Sequence, residues 1–158
     1  YLENLHAPLP CQYTNLCAVC QAQLRIMKVR YPKPGIVYKG AIPVAEIALN
    51  TSDKYLTILI SALLGNAYKF TQEGTISLEC DRLGDDRVFV AVADTGCGIP
   101  PEKHGYVFER FTKLDPFSQG NGLGLYLCRL IVTHLHGEIY IDSGYTGGTR
   151  IVAILPRR

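Results

Sequence analysis

The stretch Asp94-Thr95-Gly96-Cys97-Gly98-Ile99-Pro100 follows directly on six apolar residues, Val88-Phe89-Val90-Ala91-Val92-Ala93. A carboxylate at the end of a buried strand is costly unless something pairs with it. The glycines beside it let the backbone turn sharply or let another molecule come close. As an acceptor-only group, Asp94 suits the exocyclic amine of adenine and repels the carbonyl oxygen that guanine has there. Ile99 would then cover the ring. A tight turn after a strand accounts for the same residues without a ligand, and both readings stay open on this motif alone.

Two more segments carry chemistry. In Leu63-Leu64-Gly65-Asn66-Ala67-Tyr68-Lys69-Phe70-Thr71 and the Ala62 just before it, Ala62, Asn66 and Lys69 stand at helical spacing on one face, opposite the leucines. Such a stripe is either a solvated face or a site. As a site, Asn66 offers its amide oxygen to a hard cation such as magnesium, which takes few protein ligands and keeps water and phosphate oxygens. Lys69 then meets phosphate as a point charge. Gly120-Asn121-Gly122-Leu123-Gly124-Leu125 opens a predicted helix. Backbone N–H groups and the positive dipole end make such a terminus a phosphate site. It is not a dinucleotide-binding G-x-G-x-x-G, because no strand leads into it and its spacing differs. No GK[ST] occurs in the chain, which excludes a Walker A loop.

Hydrophobic spacing supplies the elements that must position these residues. Leu16, Val19/Cys20, Leu24 and Met27 predict a helix from Tyr13 to about Arg30, ended by Tyr31-Pro32-Lys33-Pro34-Gly35. Ile36–Tyr38 and Glu46–Leu49 read as short strands. Asn50-Thr51-Ser52-Asp53 is rich in N-cap residues and opens a second helix to about Phe70. Thr75–Arg82 and Arg87–Ala93 flank Leu83-Gly84-Asp85-Asp86 as a hairpin, whose second strand delivers Asp94. Residues 101–120 suggest a short helix and a mobile loop. Gly124 to about His136 reads as a third long helix, and Glu138–Asp142 with Thr149–Leu155 as a last hairpin. The order βαββ…αββ predicts an α+β fold, a two-layer α/β sandwich with a mixed, mostly antiparallel sheet and helices on one face.

At 158 residues, one domain with a full core is expected. The net charge of +2 is scattered, with no basic run longer than Arg157-Arg158, which argues against a nucleic-acid partner. No apolar stretch approaches the roughly 20 residues of a membrane span, and the N-terminus does not resemble a signal peptide. The chain opens at Tyr1 without an initiator Met and reads as a fragment whose parent could be membrane-bound. Cysteines stand at 11, 17, 20, 80, 97 and 128. Cys17-Ala18-Val19-Cys20 has a zinc-like spacing but lacks a second such pair or a nearby His pair. Reduced, buried or half-buried thiols of a cytoplasmic domain are the expectation.

The ordered segments together resemble the catalytic ATP-binding domain of bacterial sensor histidine kinases, in the superfamily shared with gyrase, heat-shock chaperone and mismatch-repair ATPases. Asn66–Thr71 resembles the family's asparagine box and Asp94–Pro100 its first glycine box. Phe108-Glu109-Arg110-Phe111 resembles its phenylalanine box, Gly120–Leu125 its second glycine box, and Gly147-Gly148-Thr149 its terminal hairpin. The resemblance covers roughly residues 8 to 156. It implies a Bergerat-type sandwich that binds ATP and Mg²⁺ under a lid between the last two boxes. Asn66 is implied as the metal ligand, and with Lys69 as the catalytic pair. The implied ATP-binding set is Asn66, Lys69, Phe70, stacked on adenine, Asp94, Gly96, Gly98, Ile99, Phe108, Gly120, Gly122, Leu123, Gly124, Leu125 and Thr149, the last acting through water. Arg110 or Lys113 is implied to reach the γ-phosphate. The family hands that phosphate to a histidine on a helical dimerisation domain, with a response regulator downstream. Residues 1–10 are then a linker or remnant of that preceding domain and 11–158 the catalytic domain, placed in the cytoplasm.

Two departures stand out. Ala62 occupies a position where the superfamily carries Asn or an acid, which argues against strong intrinsic ATP hydrolysis and could weaken Mg²⁺ binding. None of His6, His104, His134 and His136 sits in a phosphoacceptor context, so the acceptor is expected outside this chain. His134 and His136 read as charges at a helix C-terminus, and His104 as an exposed loop residue. Besides the kinase, two readings stay open: a degenerate nucleotide-binding module without transfer, and a serine-directed kinase of the same superfamily.

Overall fold

The structure, a computed structural model, describes residues 12–100, 102, 104, 107–108 and 124–157. In these residues the chain runs β1 (Gln12–Asn15), α1 (Leu16–Arg30), β2 (Ile36–Ala41), β3 (Ala48–Thr51), α2 (Asp53–Phe70), β4 (Gly74–Leu83), β5 (Arg87–Asp94), α3 (Gly124–His134), β6 (Glu138–Ile141) and β7 (Thr149–Pro156).

The main sheet has the order β2-β4-β5-β7-β6. Only β2 lies parallel to its neighbour, and the other pairings are antiparallel. Side chains alternate across the pleat. Ile76, Leu78 and Cys80 of β4, Val88, Val90 and Val92 of β5, and Ile151, Ala153 and Leu155 of β7 join one core with the helices. The alternate residues Ala91, Val152 and Ile154 form a small separate cluster with Leu83 and Phe89. This is the expected two-layer α+β sandwich.

Helix α2 is the centre of that core. Leu56, Leu59, Ile60, Leu63, Leu64 and Ala67 are all buried, each large side chain contributing roughly 1.5–3 kcal/mol. Ser52 caps it, its hydroxyl accepting from the Tyr55 N–H at 3.4 Å. Asp53 in the first turn and Lys69 in the last complement the helix dipole. In the β4–β5 hairpin Leu83 still pairs with Arg87, so the turn is shorter than expected. It consists of Gly84-Asp85-Asp86, with Gly84 at φ 73°.

The N-terminal reading is corrected. Tyr13–Asn15 are not the first turn of a helix but part of β1, paired antiparallel with β3 in a sheet of their own. Asn15 is the N-cap of α1, its Oδ1 accepting from Cys17 N–H at 3.1 Å. That cap forces an extended residue where helical spacing alone predicted a helical one. Two more boundaries shift: β3 begins at Ala48 rather than Glu46, and β2 continues to Ala41. Helix α3 ends at His134, because His136 adopts φ 65° and the chain turns into β6. Of the expected short helix and loop over 101–120, all but residues 102, 104, 107 and 108 lie outside the described residues.

Candidate functional site

Strand register sets the site. Asp94 is the last residue of the central strand β5, opposite Thr149 on one side and Ile76 on the other. Its side chain is only 4% exposed. Oδ1 accepts from the Gly96 N–H at 2.9 Å and from the Thr149 N–H at 3.3 Å. Among the described residues, both hydrogen bonds to this carboxylate fall on that one oxygen. Burial pushes the carboxyl above its usual range, while these two N–H groups pull it back. The net result is a buried acid oriented by backbone, with no cation of the described residues paired to it.

Two neighbouring segments close on Asp94. Gly96 lies against the C-terminus of α2, where a Cβ would run into the Phe70 carbonyl and the Thr71 hydroxyl. The hairpin after β6 comes from the other side. A Cβ on Gly148 would collide with the Asp94 carbonyl, and the Tyr145 hydroxyl donates to that same carbonyl at 3.2 Å. Gly98 has φ 76°, a left-handed conformation that favours glycine, and packs toward Gly148. The glycines of the Asp94 loop therefore serve close backbone packing as well as any ligand.

Asn66 and Phe70 are half-buried, one helical turn apart on α2, and Lys69 is exposed with its ammonium 5.4 Å from the Phe70 ring centroid. Ala62 is half-buried and packs against the core. The expected polar stripe opposite the leucines is thus narrower than its spacing suggested, because Ala62 has no polar group to keep in water. Ile99 is half-buried against the core. Phe108 is buried in the core at 7% exposure, and so is Leu125. Gly124 is exposed at the start of α3, and among the described residues nothing lies within 4 Å of where a Cβ would point. Arg110, Lys113, Gly120, Gly122 and Leu123 lie outside the described residues. The structure thus brings Phe70, Asp94, Gly96, Gly98 and Thr149 into one region, at the end of α2, the loop after β5 and the start of β7, with Asn66 one helical turn before Phe70 on α2.

Several residues escaped sequence reasoning. His104 was expected to be exposed; it is half-buried, its Nε2 2.8 Å from the Ile99 carbonyl. That contact draws the ring onto the glycine loop, and no local pattern announces it. Tyr145 also had no signal beyond its place in a turn. The Thr71 hydroxyl is fully buried without a hydrogen-bond partner among the described residues. A cavity of about 620 Å³ adjoins the region. It is lined by Phe70 and Gly96 together with Lys33, Glu73 and Cys97, but not by Asn66, Asp94 or Thr149.

Asn66 supplies one amide oxygen, and among the described residues no group of three or more His, Cys, Asp or Glu could hold a metal ion. That donor set fits a magnesium ion that keeps its waters and phosphate oxygens, and does not fit a metal held by protein alone. The oriented acceptor at Asp94 fits an amine donor.

Comparison with known proteins agrees with this geometry. The family described as "Histidine kinase-, DNA gyrase B-, and HSP90-like ATPase" matches residues 51–158. The adaptive-response sensory kinase SasA of Gloeothece citriformis is 32% identical over 159 residues, covering 98% of this chain and 40% of that protein. The chain thus spans less than half the length of this curated relative. Full-length ShkA in complex with AMPPNP superposes with a TM-score of 0.84 at 24% identity, over 98% of this chain and 33% of that one. The nucleotide-free catalytic domain of the histidine kinase ThkA superposes at 0.83 with 20% identity, over 94% and 99%. These two likenesses establish the shared fold. With a family match that spans α2, the Asp94 loop, α3 and the last hairpin, the chain belongs to the histidine kinase-, DNA gyrase B- and HSP90-like ATPases.

Proposed function

We propose that this chain is the catalytic ATP-binding domain of a sensor histidine kinase, spanning residues 11–158, with residues 1–10 as the link to a helical dimerisation domain. It binds Mg-ATP and directs the γ-phosphoryl group to a histidine on that domain. The β–γ anhydride bond breaks, a phosphorus–nitrogen bond forms, ADP leaves and the imidazole loses a proton. A response regulator then takes the phosphoryl group, on the cytoplasmic side. The observation that carries this reading is Asp94: a buried carboxylate at a strand end, oriented by two backbone amides and lacking a described cationic partner.

Asp94 accepts the adenine amine, Phe70 and Ile99 flank the ring, and Gly96, Gly98 and Thr149 keep the loop close. Asn66 holds the metal through its amide oxygen, and Lys69 offsets phosphate charge. When bound, the magnesium ion supplies charge neutralisation to the phosphates. Phe108, Arg110, Lys113, Gly120, Gly122, Leu123, Gly124 and Leu125 join the set through their positions in the family motifs. Phosphoryl transfer rests mostly on positioning and electrostatics, so Ala62, which cannot orient a water, suits transfer better than hydrolysis.

Calorimetric titration with ATP, with and without Mg²⁺, tests the pocket, with GTP as control. Transfer to a supplied acceptor domain tests the chemistry. Binding that prefers ATP, followed by acid-labile, alkali-stable phosphorylation of the acceptor, supports the kinase. Binding without transfer favours a nucleotide-binding module, and phosphoserine on the acceptor favours the serine-directed alternative. Absence of ATP binding overturns both the pocket and the kinase.

A further inference from the structure

The segment Tyr31-Pro32-Lys33-Pro34-Gly35 does more than end α1. Pro34 fixes its own φ and restricts Lys33 before it to extended backbone. Gly35 has φ 89°, and the Ile36 N–H donates to the Lys33 carbonyl at 3.0 Å. Proline followed by a left-handed glycine inside such a bond is the pattern of a type II turn. This turn reaches the link between α2 and β4 at two points. The Gly35 carbonyl accepts from the Gly74 N–H at 2.8 Å. The Lys33 ammonium donates to the Thr71 carbonyl at 3.1 Å, across 38 residues of chain. The same ammonium lies 5.0 Å from the Tyr68 ring centroid, and Tyr31 packs on that ring with centroids 5.3 Å apart.

The lysine contact falls where α2 needs one. The last carbonyls of a helix have no partner within it. Helix α1 ends with the Tyr31 N–H returning to the Met27 carbonyl. Helix α2 ends at Thr71 in extended conformation, φ −114° and ψ 115°, with no such backbone return among the described residues. A cation there also meets the negative end of the helix dipole. Lys33 is half-buried and lines the same cavity as Phe70 and Gly96. Gly96 in turn lies against the Phe70 carbonyl and donates its N–H to Asp94. A chain of contacts therefore runs from Lys33 through Thr71 and Phe70 to Gly96 and Asp94.

We infer that Lys33 is a positioning residue for the nucleotide site. It caps α2 from outside the helix and holds the Phe70–Thr71 peptide at the spacing from Gly96 that admits the adenine ring. It acts through Phe70 and Gly96, not on phosphate or metal. The inference rests on the adenine assignment of Asp94 and Phe70 proposed above. Lys33 lies in none of the motifs that carry the family resemblance.

Lys33→Met keeps an apolar stem and removes the charge, and Lys33→Arg keeps a donor cation. Amide hydrogen exchange of the nucleotide-free domain, read residue by residue by NMR, tests the positioning. In Lys33→Met the last turn of α2 and Gly96 should exchange about threefold faster or more, while β6 and β7 keep the parent's rates. Lys33→Arg should restore the parent's rates. Calorimetry tests the consequence: in Lys33→Met the Kd values for ATP and for adenosine should rise by the same factor, about three- to tenfold. Transfer to a supplied acceptor domain at saturating ATP should keep its kcat within about twofold. Unchanged exchange at the α2 end, faster exchange spread over the whole sheet, or faster local exchange with an unchanged ATP Kd overturns the proposal. A parent domain that binds no ATP overturns the adenine assignment instead, and the exchange comparison then decides alone whether Lys33 holds the end of α2.

Discussion

Asp94→Asn separates a residue kept for a ligand from one kept for the fold. Asparagine retains an oxygen for the Gly96 and Thr149 amides, which donate at 2.9 and 3.3 Å. Its other atom becomes a donor instead of an acceptor, and would face the adenine amine. Losing a hydrogen bond to a charged group costs about 1.5–3 kcal/mol, or roughly a 10- to 160-fold weaker Kd for ATP. The empty domain should respond the other way. Burial raises the folded pKa of Asp94 above its unfolded value. Such a group contributes stability that is fully present below the unfolded pKa and is lost as pH rises through the folded pKa. At neutral pH the charged carboxylate therefore weakens the empty fold, and the amide removes that cost. Calorimetry with ATP and thermal melts in neutral and acidic buffer read both effects. The variant should melt at or above the parent at neutral pH, and the parent should recover relative to it in acid. Unchanged ATP affinity would refute the adenine contact. A variant that melts well below the parent at neutral pH would show that the carboxylate serves the fold instead.

Gly96→Ala should destabilise by about 1–3 kcal/mol, because the added Cβ meets the Phe70 backbone carbonyl, which cannot give way as a flexible side chain can; chemical denaturation checks it. Asn66→Ala, at a half-buried position, should leave the melting temperature close to the parent's while removing the effect of Mg²⁺ on ATP binding; a persistent Mg²⁺ effect would place the metal on other residues. Leu59→Ala should cost about 2–5 kcal/mol in urea unfolding, since Leu59 is fully buried in α2. Tyr145→Phe should cost about 0.5–1.5 kcal/mol through loss of the bond to the Asp94 carbonyl, seen as a modest drop in melting temperature.

Local chemistry alone determined much of this protein. The leucine face of α2, the Ser52 cap region, the hairpin around Gly84 and the strand that ends in Asp94 are all written in neighbouring residues. Helical and strand periods are short-range, and a cap or turn needs only a few consecutive residues. The candidate site was legible for the same reason: Asn66, Phe70, Asp94, Gly96 and Gly98 lie within two compact motifs. Tertiary structure decided what depends on a distant partner. Tyr13–Asn15 keep helical spacing, yet pair as a strand because β3 lies beside them. The Asp94 carboxylate takes its orientation from Thr149, 55 residues along the chain, through a strand register that no local pattern specifies. Gly96 owes its lack of a side chain to the Phe70 carbonyl, and His104 its half-burial to the Ile99 carbonyl. Cys80 shares a core cluster with Cys17 and Cys20 because α1 packs on β4. Each is a contact between chain segments whose approach is set by the packing of the whole sandwich, and side-chain identity reveals such contacts only after folding has made them.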